Sequence, residues 1–514
     1  MKILLVYPQY PDTFWSFKHA LKFISKKASF PPLGLLTVAA MLPAEWEQKL
    51  VDMNVTRLAD EDIAWADYVF ISAMVVQGDS VREVIGRCQR LGTRTVAGGP
   101  LFTTGYEDYD EVDHLVLGEA EVTLPRFIKH LEQGSARHIY PSRISPDIKG
   151  TPIPMWSLID MKKYSAMNLQ YSRGCPFDCE FCDIIVLNGH KPRTKDKSQV
   201  LAELDALYAR GWRDGVFVVD DNFIGNKKKL KLEMLPAMIE WQKRRKYPFS
   251  LQTESSINLA DDDELMRLMV EAGFNTVFIG IETPNEESLA ECNKSQNQNR
   301  DLVASVKRIQ NCGLEVQGGF IVGFDHDPLS IFKNQINFIQ NSGIVTAMVG
   351  LLNAPTGTRL HQRLKKENRL LKNFSGNNTD GSLNFIPKMN YETLINGYRQ
   401  ILDTIYSPKP YYERVRSFLK EYKPRRRRKN KVHFYQVQAF LKSMWFLGIR
   451  EKGRRYYWQM FISTLFKQPG NFPISISLAV YGYHFRKVVQ KYIQTPIEGL
   501  LVTPAVGNQK AKGG

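Results

Sequence analysis

Twice along the chain, short apolar runs alternate with amphipathic stretches at the spacing of parallel strands covered by helices. No other feature limits the fold so strongly. A parallel strand cannot turn straight back into its neighbour, so each pair needs a long crossover and the sheet is buried on both faces. In the first 150 residues the runs fall at 2–7, 49–53, 68–73, 95–97 and 114–117, and the turns Gly98-Gly99-Pro100 and Gly118-Glu119 follow the last two. Open sheets of this kind bind ligands beyond the carboxyl ends of their strands. The region therefore reads as a Rossmann-like small-molecule domain, and the absence of GxGxxG after its first strand argues against nicotinamide.

At 514 residues the chain is too long for one ordinary core. A linker, Thr151-Pro152-Ile153-Pro154-Met155-Trp156, leads to six further runs at 168–172, 215–220, 249–253, 276–281, 316–324 and 347–352. Helical segments lie between them, including 199–210, 262–272 with Asp261 as N-cap, and 301–311. Six strands with five crossovers predict a partial (β/α)6 barrel, whose reactive face lies at the strands' carboxyl ends. Past about residue 390 the alternation stops. The expected domains are 1–150, 151–390 and a basic, mainly helical 391–494, with a disordered tail over 495–514.

Composition is globular, with 43% hydrophobic and 24% charged residues. Met1 to Pro8 reads as a short buried strand without a cleavable leader, and no apolar run approaches the ~20 residues of a spanning helix. The expected place is the cytoplasm, where cysteines stay reduced and a cluster of them reads as ligands rather than disulfides. Of the net charge of +16, all the excess lies in the tail: from Ser407 onward there are 22 Lys and Arg against 4 Asp and Glu.

Three of the six cysteines fall within eight residues, in Ser172-Arg173-Gly174-Cys175-Pro176-Phe177-Asp178-Cys179-Glu180-Phe181-Cys182. Two readings compete for Cys175, Cys179 and Cys182. A structural zinc site wants a fourth ligand at finger-like spacing; His190 is the only nearby candidate and no second CxxC exists. An iron–sulfur cluster held by three thiolates leaves one iron without a protein ligand, open for chemistry. Cys88, Cys292 and Cys312 are isolated and read as small buried hydrophobes.

CxxxCxxC with an aromatic residue before its last cysteine, after the first strand of a β/α barrel, resembles the radical S-adenosylmethionine (SAM) superfamily. That resemblance implies a [4Fe–4S] cluster whose free iron binds SAM and cleaves it to a 5′-deoxyadenosyl radical, with electrons from a reductant protein such as a flavodoxin or ferredoxin. It implies SAM contacts at the other strand ends as well: Phe181 beside the cluster, Asp221 and Asn222 after strand two, Glu254 after strand three, Glu282 after strand four, and Gly319, Ile321 and Gly323 along strand five. The Gly-Gly-Glu expected after strand two is replaced by Asp220-Asp221-Asn222-Phe223. Taken alone, that tetrapeptide reads equally as a turn with helix capping, and Gly318-Gly319 as a strand kink.

The preceding α/β region, with Pro31-Pro32-Leu33-Gly34-Leu35-Leu36, Gly98-Gly99-Pro100 and Val116-Leu117-Gly118-Glu119-Ala120-Glu121, resembles the cobalamin-binding domain of the methylating subgroup. Cobalamin contacts are then expected from Ser72, Met74, Gln77, Gly98, Gly99, Pro100, Gly118 and Glu119. DxHxxG is absent, so cobalamin is expected without a histidine from that motif; His114 reads as a strand residue. A Rossmann-like module used only for packing or dimerisation is the plain alternative.

The run Arg425-Arg426-Arg427-Arg428-Lys429 reads first as a solvated patch and second as a nucleic-acid contact. A third reading notes the short apolar stretches Tyr456 to Ile462 and Phe472 to Val480 among Lys and Arg, which suit peripheral contact with the inner face of an anionic membrane. The segment Ser250 to Ala260, together with the basic tail, resembles the subgroup containing the hopanoid C-2 methylase. The resemblance implies a cobalamin-dependent radical SAM methyltransferase acting on an unactivated carbon of a small molecule, a hopanoid or other membrane lipid, with nucleic acid not expected. Two rivals remain: a cobalamin radical enzyme that cyclises or rearranges without methylating, and a non-catalytic zinc-stabilised nucleic-acid or membrane-binding protein.

Overall fold

The computed structural model describes residues 1–371, 374–377, 380–424 and 434–493. The first six strands are β1 (Lys2–Tyr7), β2 (Glu47–Asp52), β3 (Tyr68–Ser72), β4 (Arg94–Gly98), β5 (His114–Val116) and β6 (Ile139–Tyr140). They form one parallel sheet in the order β2-β1-β3-β4-β5-β6. Helices α1 (Leu33–Met41), α2 (Gly78–Leu91) and α3 (Ala120–Glu132) cover it. Because side chains alternate along a strand, Leu4, Val6, Val69 and Ile71 enter one core while Ile3, Leu5, Tyr68 and Phe70 enter another on the opposite face. In α2 the buried residues Val81, Val84, Ile85 and Cys88 make the apolar stripe that seats it. The edge strand β6, only two residues long, was not among the expected strands.

The second sheet holds β7 (Ala166–Leu169), β8 (Gly215–Val218), β9 (Ser250–Ser255), β10 (Phe274–Glu282), β11 (Glu315–Val322) and β12 (Ala347–Leu351), parallel and in sequence order. The crossovers are α4 (Lys197–Ala209), α5 (Leu235–Arg244), α6 (Asp263–Ala272), α7 (Leu302–Cys312) and α8 (Ile331–Ser342). Two expectations need correction. The cap of α6 is Asp262, whose carboxylate accepts from the Leu265 N–H, while Asp261 is paired with Arg300. The first barrel strand stops at Leu169; Ser172 and Arg173 instead pair antiparallel with Thr194 and Arg193, closing the base of the cysteine loop.

Beyond the barrel lie α9 (Tyr391–Tyr406), α10 (Pro408–Glu421), α11 (Phe434–Trp445), α12 (Arg454–Lys467) and α13 (Phe472–Ile493). Their apolar faces join the barrel's own core. Polar anchors fix the join: the Tyr398 and Tyr406 hydroxyls donate to the Val349 and Ala347 carbonyls of β12, and buried Arg414 donates to Val345 O and Ile405 O. The same core takes in Phe14, Ala20 and Phe23 from the first region, with Phe14 stacked on Phe485 of α13 at 4.1 Å. Arg425 to Lys429 and 495–514 lie outside the described residues. Among the described residues no helix is long and apolar enough to cross a membrane.

Candidate active site

The cysteine loop is held from three directions. Gly174 adopts φ +94°, and a Cβ there would meet the Lys191 carbonyl at 2.9 Å, so the backbone passes too closely for a side chain. From below, Asp221 accepts from Gly174 N (2.8 Å) and Asn188 Nδ2 (3.0 Å), and Asp220 accepts from Tyr171 N and the Ser172 hydroxyl. Toward the first domain, Arg173 pairs with Glu119 (2.7 Å) and Glu121 (2.8 Å), and Arg193 pairs with Glu119 (2.7 Å). On the far side Glu180 pairs with Arg363 at 2.8 Å, and Arg363 bridges on to Asp325. Burial pushes all three thiols above the ordinary cysteine range.

Asn222 Nδ2 donates to the Ser256 hydroxyl at 3.2 Å and lies 3.9 Å from Cys175 Sγ; Gln296 Nε2 lies 3.9 Å from Cys179 Sγ. Phe181 meets Phe324 edge-on, 6.2 Å between centroids. Burial pushes Asp220 up to about 7, and burial with the nearby Asp221 and Asp220 pushes Glu254 up to about 8. Glu282 sits at a β-bulge between β10 and β11 with φ +63°, a conformation that costs of order 1–3 kcal/mol for a non-glycine residue. Asn297, donating to Gly280 O and Ile281 O, and Gln335, donating to Glu282 O, hold that bulge. The strain aims Glu282 at Lys294, 2.6 Å away. Burial alone would lower the Lys294 ammonium; Glu282 and then Cys179 hold it above its ordinary value. Lys294 is therefore a buried cation beside the thiols that sequence reasoning missed, since a lysine in Asn293-Lys294-Ser295 carries no local signal.

Strand five departs most from expectation. A Cβ on Gly319 would meet Phe278 Cζ at 2.8 Å, so this glycine makes room for a neighbouring ring. Gly323 N donates to Asp327, and Ile321 O accepts from Gln335. Neither glycine, nor Ile321, lines the main cavity. Asp221 is likewise spent under the loop, and Asn222 lines a separate pocket of about 480 Å³ with Pro176 and Ser256. Glu254 alone of the expected SAM set lines the main cavity.

That cavity, about 2310 Å³, is more than twice the roughly 300–1,000 Å³ of ordinary ligand sites. Its upper wall is the carboxyl edge of the first sheet: Ser72, Met74, Gly99, Pro100, Gly118 and Glu119 line it. Gly99 (φ +89°) could not carry a Cβ, which would stand 2.6 Å from Ser72 Oγ. Gly98 and Gln77 do not line the cavity. Gly98 lies against the Val116 carbonyl, and Gln77, buried, accepts from Met74 N and donates to Pro8 O. The Glu119 carboxylate is committed to the two arginines. His114 stays on its strand, bonded to Arg137 O. Lower down, aromatic rings converge: Trp15 on Phe278 at 5.4 Å, Phe30 on Phe217 at 5.1 Å and Phe17 on Tyr481 at 5.1 Å. Residues 14–30, which carry three of these rings, were not expected to contribute.

The sequence matches the B12 binding domain over residues 24–128, the radical SAM superfamily over 169–339, and a domain of unknown function over 358–497. It is 42% identical to an uncharacterised methyltransferase of Synechocystis, covering 96% of this chain and 93% of that protein. It is 32% identical to the hopanoid C-2 methylase of Rhodopseudomonas palustris, covering 94% and 92%. The chain belongs to the cobalamin-binding radical SAM family. Among solved structures, this radical SAM chain is similar in fold to OxsB, a cobalamin-dependent SAM radical enzyme: TM-score 0.59, 15% identity, 98% of this chain and 82% of that one. It is an enzyme of the radical SAM methyltransferase class, and its cofactors are a [4Fe–4S] cluster, SAM and cobalamin.

The residues present fit those groups. Three thiols on one tethered loop, Cys179 buried and Cys175 and Cys182 half-buried, are favoured as thiolates by a bound metal, and the cation beside them, Lys294, is already paired with Glu282. His190 stands at the surface near Asp178. Directly across the cavity from the barrel, the backbone-lined edge of the first sheet leaves space for a broad ligand.

Proposed function

We propose that this enzyme methylates an unactivated carbon of a membrane lipid of the hopanoid class. The observation that carries the reading is the cavity: it continues from the glycine-lined edge of the first sheet, past Glu254, into a chamber walled by Trp15, Phe30, Phe217, Phe278 and Tyr481. Rings set edge-on or tilted around an apolar space match a rigid polycyclic hydrocarbon, which has large flat faces and few polar groups. The relative that methylates hopanoids gives the reading its substrate class.

Bound together, the cluster, SAM and cobalamin supply hydrogen abstraction and a transferable methyl group. The chain's own share is position and exclusion of water. Cys175, Cys179 and Cys182 would hold the cluster at the carboxyl ends of β7 and β8, while Asp221, Glu180 and Arg173 fix their loop. Glu254, which lines the cavity, would meet SAM from the end of β9, with the Glu282–Lys294 pair beside the thiols. Ser72, Met74, Gly99, Pro100 and Gly118 would border the corrin. The aromatic wall keeps water from a reactive carbon and orients it without a general acid or base. Contact of the basic carboxyl-terminal region with a membrane surface belongs to the same reading.

The test is an anaerobic incubation of reconstituted enzyme with a hopanoid-containing lipid extract, reductant and SAM carrying a deuterated methyl group. Mass spectrometry should find one labelled methyl on a hopanoid. Formation of 5′-deoxyadenosine with no labelled hopanoid would contradict the substrate class while leaving the radical chemistry intact.

A further inference from the structure

The cavity has a second end that catalysis leaves unused. Cluster and cofactors belong at the carboxyl ends of the barrel strands, yet the space continues to the amino ends, where Phe274 and Glu315 line it with Val437 and Phe440 of α11 and Phe472 and Ser477 of α13. Val437 and Ser477 are exposed, so the cavity reaches the surface between these two helices.

Beside that opening stands an apolar face that has no partner among the described residues. In α11, Val437, Leu441 and Trp445 recur every four residues, one helical face, and all are exposed; Ile449 extends the series past the helix end. In α12, Ile462, Leu465 and Phe466 are exposed, Phe466 at 79%. The two helices form one antiparallel hairpin: Phe440 stacks on Phe461, Ser443 meets Tyr457, and Trp458 donates to Gly448 O. Scattered apolar residues are normal on a surface, but seven on one hairpin are a patch. The charge around them selects its partner: residues 434–493 carry nine Lys and Arg and one Glu, and Arg450, Lys452, Arg454, Arg455 and Lys467 are exposed. Apolar side chains ringed by lysine and arginine fit the headgroup region of an anionic bilayer.

We propose that the α11–α12 hairpin lies on an anionic bilayer and that the apolar substrate passes from that bilayer into the barrel through the opening between α11 and α13. This rests on the reading that the substrate is a membrane lipid. The enzyme then never has to carry its substrate through water, and the reactive face at the opposite end of the barrel stays clear of the membrane.

The test uses the full chain, loaded with its cofactors, and vesicles of phosphatidylcholine with or without phosphatidylglycerol. Sedimentation should show binding to the phosphatidylglycerol vesicles that weakens with salt. The triple variant Leu441→Glu, Trp445→Glu, Phe466→Glu should lower the bound fraction on the order of tenfold or more, with iron and cobalamin content unchanged. Its turnover of hopanoid embedded in those vesicles should fall in parallel, while turnover of the same lipid in detergent micelles stays at the parent rate. Ser477→Trp, narrowing the opening, should leave vesicle binding intact and slow turnover of the embedded lipid. Unchanged vesicle binding by the triple variant, or no binding by the parent, overturns the docking face. Unchanged turnover by Ser477→Trp overturns the route. Absence of labelled lipid in either presentation defeats the substrate reading and the route with it, and sedimentation then decides the docking face alone.

Discussion

The two six-stranded parallel sheets obey one topological rule and solve two different binding problems with it. Both gather their candidate ligand groups at the carboxyl ends of the strands. The first sheet does so with little side chain: Gly99 and Gly118 bring bare backbone to the cavity, and the charged group there, Glu119, serves the interface with the barrel. The second sheet works through charge, with three thiols on a loop tied down by Asp221, Arg173 and Glu180. A broad preformed ligand needs a surface it can approach; a cluster assembled on thiolates needs a loop that cannot move. The difference teaches that parallel topology fixes where a site lies and leaves its chemistry to the loops.

Four changes would break or sharpen this contrast. The largest effect should come from Cys179→Ala, which should cut SAM cleavage to background and lower bound iron while leaving cobalamin retention near the parent level. Loss of both cofactors together would show that the two sheets are not separable sites. Arg173→Ala leaves half-buried Glu121 without its arginine, while Glu119 keeps Arg193, and should destabilise the protein by about 2–3 kcal/mol in urea unfolding. A change below ~1 kcal/mol would mean that the interface is not held by this arginine.

Gly99→Val tests the opposite sheet. Its left-handed backbone and the contact with Ser72 should cost about 2–3 kcal/mol and weaken cobalamin retention, while iron content and 5′-deoxyadenosine formation persist. Equal loss of iron would contradict the assignment of backbone approach to the corrin alone.

The smallest effect is electrostatic. Burial alone would raise Asp325, but hydrogen bonds and charge from Arg369 and Arg363 lower it to about 2 from an ordinary 3.8. A carboxylate depressed in the folded state adds stability above its unfolded value and loses it as pH falls through the folded one, here about 2 kcal/mol lost between about pH 5 and pH 2. Urea unfolding across that range should show this slope in the parent and lack that part of it in Asp325→Asn. Identical slopes would remove Asp325 from the network behind Glu180.

Much of this was legible in the sequence, for physical reasons. A strand buried on both faces must be apolar throughout, so β1 and β3 announce themselves, whereas two-residue β6 is too short to have a pattern. CxxxCxxC and its place after a strand located the loop; the ladder from Ser172 to Thr194 that closes it depends on partners 22 residues apart. Asp262 rather than Asp261 caps α6, since adjacent aspartates look alike until one meets Arg300. Gln77 read as a cobalamin contact because nothing local shows that its amide is buried against Pro8. Lys294 and the aromatic segment around Trp15 were invisible for the same reason: their roles arise from neighbours far away in the chain, Glu282 and the thiols for one, Phe278 and α13 for the other.

The most direct test of the central claim is a count. In one anaerobic reaction with purified hopanoid, 5′-deoxyadenosine, S-adenosylhomocysteine and methylated lipid should form in equal amounts, the count expected if one SAM is spent on hydrogen abstraction and a second supplies the methyl group. Deoxyadenosine accumulating without S-adenosylhomocysteine, with the lipid altered but no heavier by a methyl group, would contradict it and mark a cyclising or rearranging enzyme.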